Sequence, residues 1–169
     1  MSANIGRDDK CGPPHLFDGL NRPYSGNQNH KEIQMPTIFI EAPTGIRGDA
    51  KKRLVEKATA ALDEAYHIPD VRVFLREYKA ENVGQDGRLQ SEPVRPVCFI
   101  EAPQLRSLDA RRKLTEKINA AVAEAYEGIA NTRETLIFHN EYPLENAGWA
   151  GRLQSDNPEI VEAMKKLNG

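Results

Sequence analysis

The sequence predicts an α/β fold of the α+β sandwich type, in which two tandem βαβ units form one four-stranded sheet with two helices on one face. Three observations lead to this prediction: the chain repeats itself, each copy reads as strand, long helix and strand, and only a few residues join the copies. The two copies would be related by a pseudo-two-fold axis. Because both helices cover the same face, we expect the other face to be bare and to favour assembly into a ring.

The repeat sets the predicted domain boundaries. "MPTIFIEAP" at 35–43 returns as "RPVCFIEAP" at 95–103, and an offset of sixty continues from there to Tyr66 and Tyr126. The second copy then inserts a few residues, and "ENVGQDGRLQSE" at 81–92 matches "ENAGWAGRLQSD" at 145–156. We therefore predict a first βαβ unit over 36–92, a linker over 93–95, a second unit over 96–156 and a short C-terminal helix over 157–169.

The strands are predicted from their composition. "TIFIEA" and "VCFIEA" are continuous runs of β-branched, aromatic and aliphatic residues, which is typical of strands buried on both faces. "VRVFLREY" and "TLIFHNEY" are predicted to be the second strands, each parallel to the first strand of its unit through a right-handed crossover. Pro96 would begin an edge strand, where a missing N–H donor is tolerated.

Between these strands lie two amphipathic helices. In "DAKKRLVEKATAALDEAY" the apolar residues recur every three to four positions, which predicts a helix of about five turns over 49–66. Its twin covers 109–126, with Ser107 as the N-cap. The glycine pairs Gly84 with Gly87 and Gly148 with Gly151 predict a hairpin or bulge after the second strand of each unit.

The first 35 residues have a different composition. They are rich in Gly, Pro, Asn and Asp and lack periodicity, so we expect them to be mostly disordered or to be a misassigned start. They also lack the layout of a secretory signal, and Asp8 and Asp9 argue against a transit peptide.

Composition excludes several functional classes. The formal net charge of -2 gives no basic excess for a nucleic acid, and no apolar run approaches the roughly 20 residues that cross a bilayer. Cys11 lies in a polar stretch and Cys98 in an apolar one, which argues against a disulfide and for a reduced, cytoplasmic setting. We expect no metal site and no nucleotide cofactor. The glycine pairs lack a phosphate-loop lysine, and no ligand spacing links the histidines His15, His30, His67 and His139.

These motifs together resemble the tautomerase superfamily, specifically the 4-oxalocrotonate tautomerase group in a tandem-fused form. The resemblance covers 36 to about 156 and rests on "MPTIFIEAP", the helix start "RGDAKK", the segment "PDVRV" and the spacing of Glu77 to Gly84 and Gly87. It implies a fold like that of 4-oxalocrotonate tautomerase and macrophage migration inhibitory factor. It also implies a homotrimer of fused chains and keto–enol tautomerisation of a small unsaturated or 2-oxo carboxylic acid without a cofactor.

The resemblance assigns the general base to Pro36, which would become the first residue once Met35 is removed. A proline nitrogen is basic only as a free amine, and an apolar pocket beside arginines would lower its pKa towards neutrality. A leader that stays attached would acylate Pro36 and leave a binding-competent but inactive fold. Pro96 is bonded to Arg95, so the second unit would be a pseudo-subunit.

The resemblance also implies arginines that bind the substrate carboxylate, since a guanidinium binds a planar carboxylate bidentately. The matching positions are Arg47 and Arg72. In the second unit Ser107 and Leu136 stand opposite them, with Arg106 and Arg133 nearby, and Trp149 would form an aromatic wall or pack at an interface.

Other members of this superfamily decarboxylate, hydrate or dehalogenate their substrates. Gln85 and Trp149 stand where hydration would need an acid, whereas Asp70 beside Arg72 keeps decarboxylation or hydration open. A non-catalytic binding or assembly protein is the third alternative.

Overall fold

The computed structural model describes residues 36–68 and 70–169, so the predictions for residues 1–35, including those for Met35 and Cys11, fall outside it. Each unit contributes one long helix, α1 at Gly48–Tyr66 and α2 at Leu108–Ala125, and the second unit is followed by α3 at Pro158–Asn168. The short 3-10 helices are Ala80–Asn82, Thr132–Glu134, Leu144–Asn146 and Gln154–Asp156.

The main sheet has four strands in the order β2-β1-β5-β6. Their bounds are Thr37–Pro43 for β1, Arg72–Tyr78 for β2, Val97–Pro103 for β5 and Leu136–Tyr142 for β6. Within each unit the two strands are parallel, and the central pair β1 and β5 is antiparallel. This is the predicted fold, with a pseudo-two-fold axis between the central strands.

A short hairpin follows the second strand of each unit, as the glycine pairs predict. Gly84–Gln85 (β3) pairs with Arg88–Leu89 (β4), and Gly148–Trp149 (β7) pairs with Arg152–Leu153 (β8). The two turn residues have positive φ in both hairpins, 52° and 75° at Asp86 and Gly87, and 49° and 80° at Ala150 and Gly151. Positive φ at both positions is the type I′ turn that suits two-residue hairpins.

The core lies between the sheet and the helices α1 and α2. Alternate strand residues point into it, because successive side chains of a strand face opposite sides. Its fully buried members include Ile38, Ile40, Cys98 and Ile100 from the central strands and Leu54, Leu62, Leu114, Ile118 and Val122 from the helices. The predicted cap of α2 is confirmed, since Ser107 Oγ accepts a hydrogen bond from the Ala110 N–H at 3.2 Å.

The opposite face of the sheet is bare in the single chain. Phe39 stacks on Phe74 with ring centroids 5.1 Å apart, and Phe99 stacks on Phe138 at 5.3 Å. Phe74 and Phe138 are 47% and 42% exposed, and Leu136 is 50% exposed. We call this surface the bare face.

Two expectations about the strands need correction. The first strand of each unit alternates between buried and half-buried residues, because the helices cover only one face, so burial on both faces is not reached within one chain. Pro96 precedes β5, which is a central strand and not an edge strand. Its missing donor is tolerated for another reason: the pairing of β1 with β5 ends at Glu41 and Val97, one residue short of Pro96.

The start of the C-terminal helix α3 is marked by a capping residue and a proline. Asn157 caps it by accepting a hydrogen bond from the Glu159 N–H at 3.0 Å, and Pro158 occupies the first turn, where it displaces no hydrogen bond. Ile160 and Met164 are buried and Leu167 packs against the core. None of the helices among the described residues is both long and apolar enough to cross a membrane.

Candidate active site

The sheet register brings Pro36 close to the second unit. Thr37 of β1 lies opposite Glu101 of β5, so Pro36 lies beside Ala102 at the end of that antiparallel strand. The Arg72 N–H donates a hydrogen bond to the Pro36 carbonyl at 3.0 Å, which joins the starts of β1 and β2. Pro36, Arg72 and the loop 104–107 that follows β5 therefore lie at one end of the sheet, which we call the Pro36 end.

Arg47 and Arg133 lie at the other end. Arg47 follows the end of β1, and Arg133 lies in the 3-10 helix just before β6, which starts beside Pro96. Seven strand residues separate the two ends, a length of about 20 Å at the usual rise per residue. Within one chain, Pro36 and the four arginines that the resemblance implicates are thus divided between two places.

The ring of Pro36 is buried, with less than 2% of its surface exposed. Such a site disfavours a charged group because burial removes its hydration. A free amine at this position would therefore have a lowered pKa, whereas the peptide-bonded nitrogen has no basicity at all.

The predicted arginines differ in how their charge is used. Arg47 is at the N-cap position of α1, its guanidinium contacts Asp49 at 3.0 Å, and 85% of its side chain is exposed. By contrast, the guanidinium groups of Arg72 and Arg106 make no ion pair or hydrogen bond with the described residues. These two charges at the Pro36 end are available to an anionic ligand.

Trp149 lies in the hairpin that follows β6. It is half-buried and pairs with Arg152 across the hairpin. Because β6 is the far strand of the sheet, this hairpin follows the edge of the second unit and is separated from β1 by β5.

A network of charged and polar side chains surrounds Arg95, the residue directly before Pro96. The Arg95 guanidinium contacts Asp86 at 2.7 Å and Glu134 at 3.3 Å, and the Arg95 N–H donates to Gln85 Oε1 at 2.7 Å. The Gln85 amide also donates to the Ser91 carbonyl at 2.9 Å. Gln85 thus fixes the linker to the first hairpin. Sequence reasoning missed Arg95, although its place directly before Pro96 is a visible signal.

Half-buried carboxylates join the helices to the sheet. Glu77 of β2 pairs with Lys51 of α1, and Glu141 of β6 pairs with Arg111 of α2 at 2.8 Å. The negative charge of each carboxylate also affects a buried tyrosine of the other unit, Glu141 affecting Tyr66 and Glu77 affecting Tyr126. Burial, together with the nearby carboxylate, raises the pKa of Tyr66 and of Tyr126 above the ordinary value for tyrosine.

Solved structures share this arrangement. The F6 fused 4-OT, an asymmetric trimer, superposes with a TM-score of 0.64 at 23% identity, covering 71% of this chain and 97% of its own. The sheet order, the fused repeat and this coverage agree. The chain has the tautomerase-superfamily fold.

Two further solved structures have the same fold. N1, of the cis-3-chloroacrylic acid dehalogenase family, matches with a TM-score of 0.56 at 19% identity over 76% of this chain and 99% of its own. FG41 malonate semialdehyde decarboxylase inhibited by 3-bromopropiolate matches with a TM-score of 0.55 at 14% identity over 70% and 92%. Neither a protein-family model nor a curated protein matches the sequence.

Proposed function

We propose that this chain is a cofactor-independent keto–enol tautomerase of a small unsaturated or 2-oxo carboxylic acid, with Pro36 as its general base. The observation that carries the proposal is the position of Pro36. It heads the first strand of a fused tautomerase fold, and at the same end of the sheet lie Arg72 and Arg106, whose guanidinium groups pair with none of the residues that the structure describes.

The proposed reaction moves one proton. The Pro36 amine, freed by removal of Met35 and everything before it, takes a proton from the carbon next to the substrate carbonyl, and the electron pair of that C–H bond forms the enolate. The ammonium then returns the proton to oxygen or to another carbon. Arginines hold the carboxylate and stabilise the developing negative charge, which counts for more in a water-poor site than in water.

The proposal includes a homotrimer. The stacked phenylalanines and Leu136 of the bare face need a cover, and the F6 fused 4-OT is a trimer. In such an assembly Arg47 and Arg133 of one copy would approach the Pro36 end of another, whereas Trp149 follows β6 at the Pro36 end of its own chain. The separation of these two arginines from Pro36 within one chain supports a shared site.

Decarboxylation, hydration and dehalogenation remain the alternative reactions, and a leader that stays attached would leave a binding protein. Water activation requires an unengaged acid. Near the first hairpin, Gln85 is occupied by the linker and Asp86 by Arg95, so this hairpin supplies no unengaged acid for hydration, and Asp70 beside Arg72 is the acid on which the alternative reactions depend.

The test uses the full chain with a protease site placed directly before Pro36, so that cleavage exposes the amine; we call the product the cleaved chain. The enol of an aryl 2-oxo acid is added and its ultraviolet band is followed, with release of carbon dioxide and halide measured in parallel on a semialdehyde acid and a chloroacrylate. We expect accelerated loss of the enol band alone. Faster release of carbon dioxide would indicate a decarboxylase, and faster release of halide would indicate a dehalogenase. No acceleration of any reaction would indicate a non-enzyme.

A further inference from the structure

The loops that follow the first strand of each unit are held differently. After β1, the loop 44–47 ends in the exposed Arg47. After β5, the loop 104–107 is bound by α3: the Arg106 N–H donates to Asn168 Oδ1 at 2.7 Å, and Asn168 Nδ2 donates to the Gln104 carbonyl at 2.9 Å. One amide side chain thus satisfies two main-chain groups that lie on either side of Leu105.

The rest of this loop is equally constrained. Leu105 is fully buried, and its carbonyl accepts a hydrogen bond from the Arg111 guanidinium at 2.6 Å. Ser107 caps α2. Main-chain groups of three consecutive residues are therefore fixed, and the one charged side chain of the loop, that of Arg106, makes no ion pair or hydrogen bond with the described residues.

Helix α3 places Asn168 through packing. Ile160, Met164 and Leu167 lie against the body of the fold, so the last residue of the helix has a defined position over the loop. Between α3 and the loop runs a groove lined by Arg106 together with the apolar side chains Leu144, Val161 and Met164. Lys165 also lines it, but its charge is paired with Glu162 at 2.7 Å. Within the described part of the chain, the groove therefore offers one cation without a partner beside an apolar wall.

We propose that Asn168 is a positioning residue that holds the loop 104–107 so that Arg106 binds the substrate carboxylate at the Pro36 end. The groove would then favour a carboxylic acid with an apolar substituent, which packs on the α3 side. This inference rests on the proposed function for the identity of the site. Helix α3 has no counterpart after the first unit. In this inference its role is to hold the loop 104–107 in one position, which no equivalent helix does for the loop 44–47.

The test measures binding of benzoylformate, a 2-oxo acid that cannot enolise, to the cleaved chain by titration calorimetry. Asn168→Ala removes two hydrogen bonds, each of which is worth about three- to tenfold in an equilibrium constant. We expect Asn168→Ala to lower the affinity for benzoylformate about tenfold and to have no further effect on it in an Arg106→Ala background. The methyl ester of benzoylformate, which lacks the carboxylate charge, should bind the Asn168→Ala variant and the parent equally. Lys166→Ala, at an exposed residue of the same helix that does not line the groove, is the matched control and should leave the affinity within twofold.

Three results would overturn the inference: no binding of benzoylformate by the parent, an unchanged affinity in Asn168→Ala, or an equal loss with and without Arg106. Asn168 is half-buried at the end of a helix, and far-ultraviolet circular dichroism verifies that the variant is folded. Because benzoylformate does not tautomerise, binding is separate from turnover. A cleaved chain that shows the coupling but converts no enol would refute the tautomerase proposal and leave the Asn168 assignment standing.

Discussion

The N–H of Arg72 donates to the Pro36 carbonyl at 3.0 Å, and the N–H of Leu136 donates to the Pro96 carbonyl at the same distance. The two units are thus geometrically alike at the start of their strands. They differ in chemistry, because one pair carries a guanidinium and the other an aliphatic side chain. This difference assigns the proposed substrate contact to the first unit.

Arg72→Leu copies the second unit into the first and should lower kcat/KM of the cleaved chain for a carboxylate substrate. A charge-assisted hydrogen bond is worth about 1.5–3 kcal/mol, so the expected loss is about 10- to 100-fold. Steady-state kinetics of enol consumption measures it. Leu136→Ala at the twin position is the control and should change kcat/KM less than about threefold; equal losses in both variants would argue against a carboxylate contact at Arg72.

Phe138→Glu should dissociate the proposed trimer while the chain stays folded. Phe138 is 42% exposed in the single chain, so a charge there costs little until another copy covers the bare face. Sedimentation velocity should change from a three-chain species to one chain. Leu108→Glu, at an exposed leucine on the helix side, should leave the assembly intact. A trimer that tolerates Phe138→Glu would place the interface elsewhere.

His139 should make stability depend on pH. Thr115 Oγ1 donates to the Arg111 carbonyl at 2.9 Å and therefore accepts from His139 Nε2 at 2.9 Å, while the buried Nδ1 has no partner among the described residues. Burial lowers the pKa of His139 below 6.5, and Arg111 acts in the same direction against an opposing effect of Glu141.

His139 therefore binds a proton more readily in the unfolded chain than in the folded chain. The free energy of unfolding should be constant above the unfolded pKa and fall as the pH decreases from about 7 to about 5. Urea unfolding at several pH values measures this. His139→Leu, which copies Leu75 of the first unit, should show a shallower fall over that range. An identical pH profile in the parent and the variant would exclude His139 as the titrating group.

Ala150→Asn should stabilise the fold. Ala150 has a φ of 49°, a left-handed conformation that costs a residue with a Cβ about 1–2 kcal/mol and that asparagine tolerates better. We expect a gain of about 0.5–1 kcal/mol in the free energy of unfolding, measured with urea. Ala147→Asn in the same hairpin region, where φ is -128°, should bring no gain. A loss of stability in Ala150→Asn would mean that the side-chain environment outweighs the backbone conformation.

The fold was predictable because the repeat supplies the same evidence twice. Strand composition, helix periodicity and the positions of glycine all depend on residues close together in the chain, and they located β1, α1 and β2 and their twins to within one or two residues. The position of Pro96 before a central strand was not predictable, because strand order depends on which distant strands pair.

The candidate site was predictable only in part. The pairing of Pro36 with Arg72 follows from the βαβ unit itself. The grouping of Arg106 with Pro36, and of Arg47 with Arg133, depends on the antiparallel pairing of β1 with β5. Asn168 and Arg95 were not predictable because their contacts are with residues distant in sequence or in separate turns, which a local pattern does not reveal. The one signal for Asn168 was that 157–169 has no counterpart after the first unit.

The most direct test of the central claim is the turnover of one sample before and after cleavage directly before Pro36. Cleavage converts an amide nitrogen into an amine without changing any described side chain. A positioned general base contributes about 10²- to 10⁴-fold, so we expect kcat/KM for the enol to increase at least about 100-fold. An uncleaved chain that consumes the enol as fast as the cleaved one would contradict the assignment of Pro36 as the base.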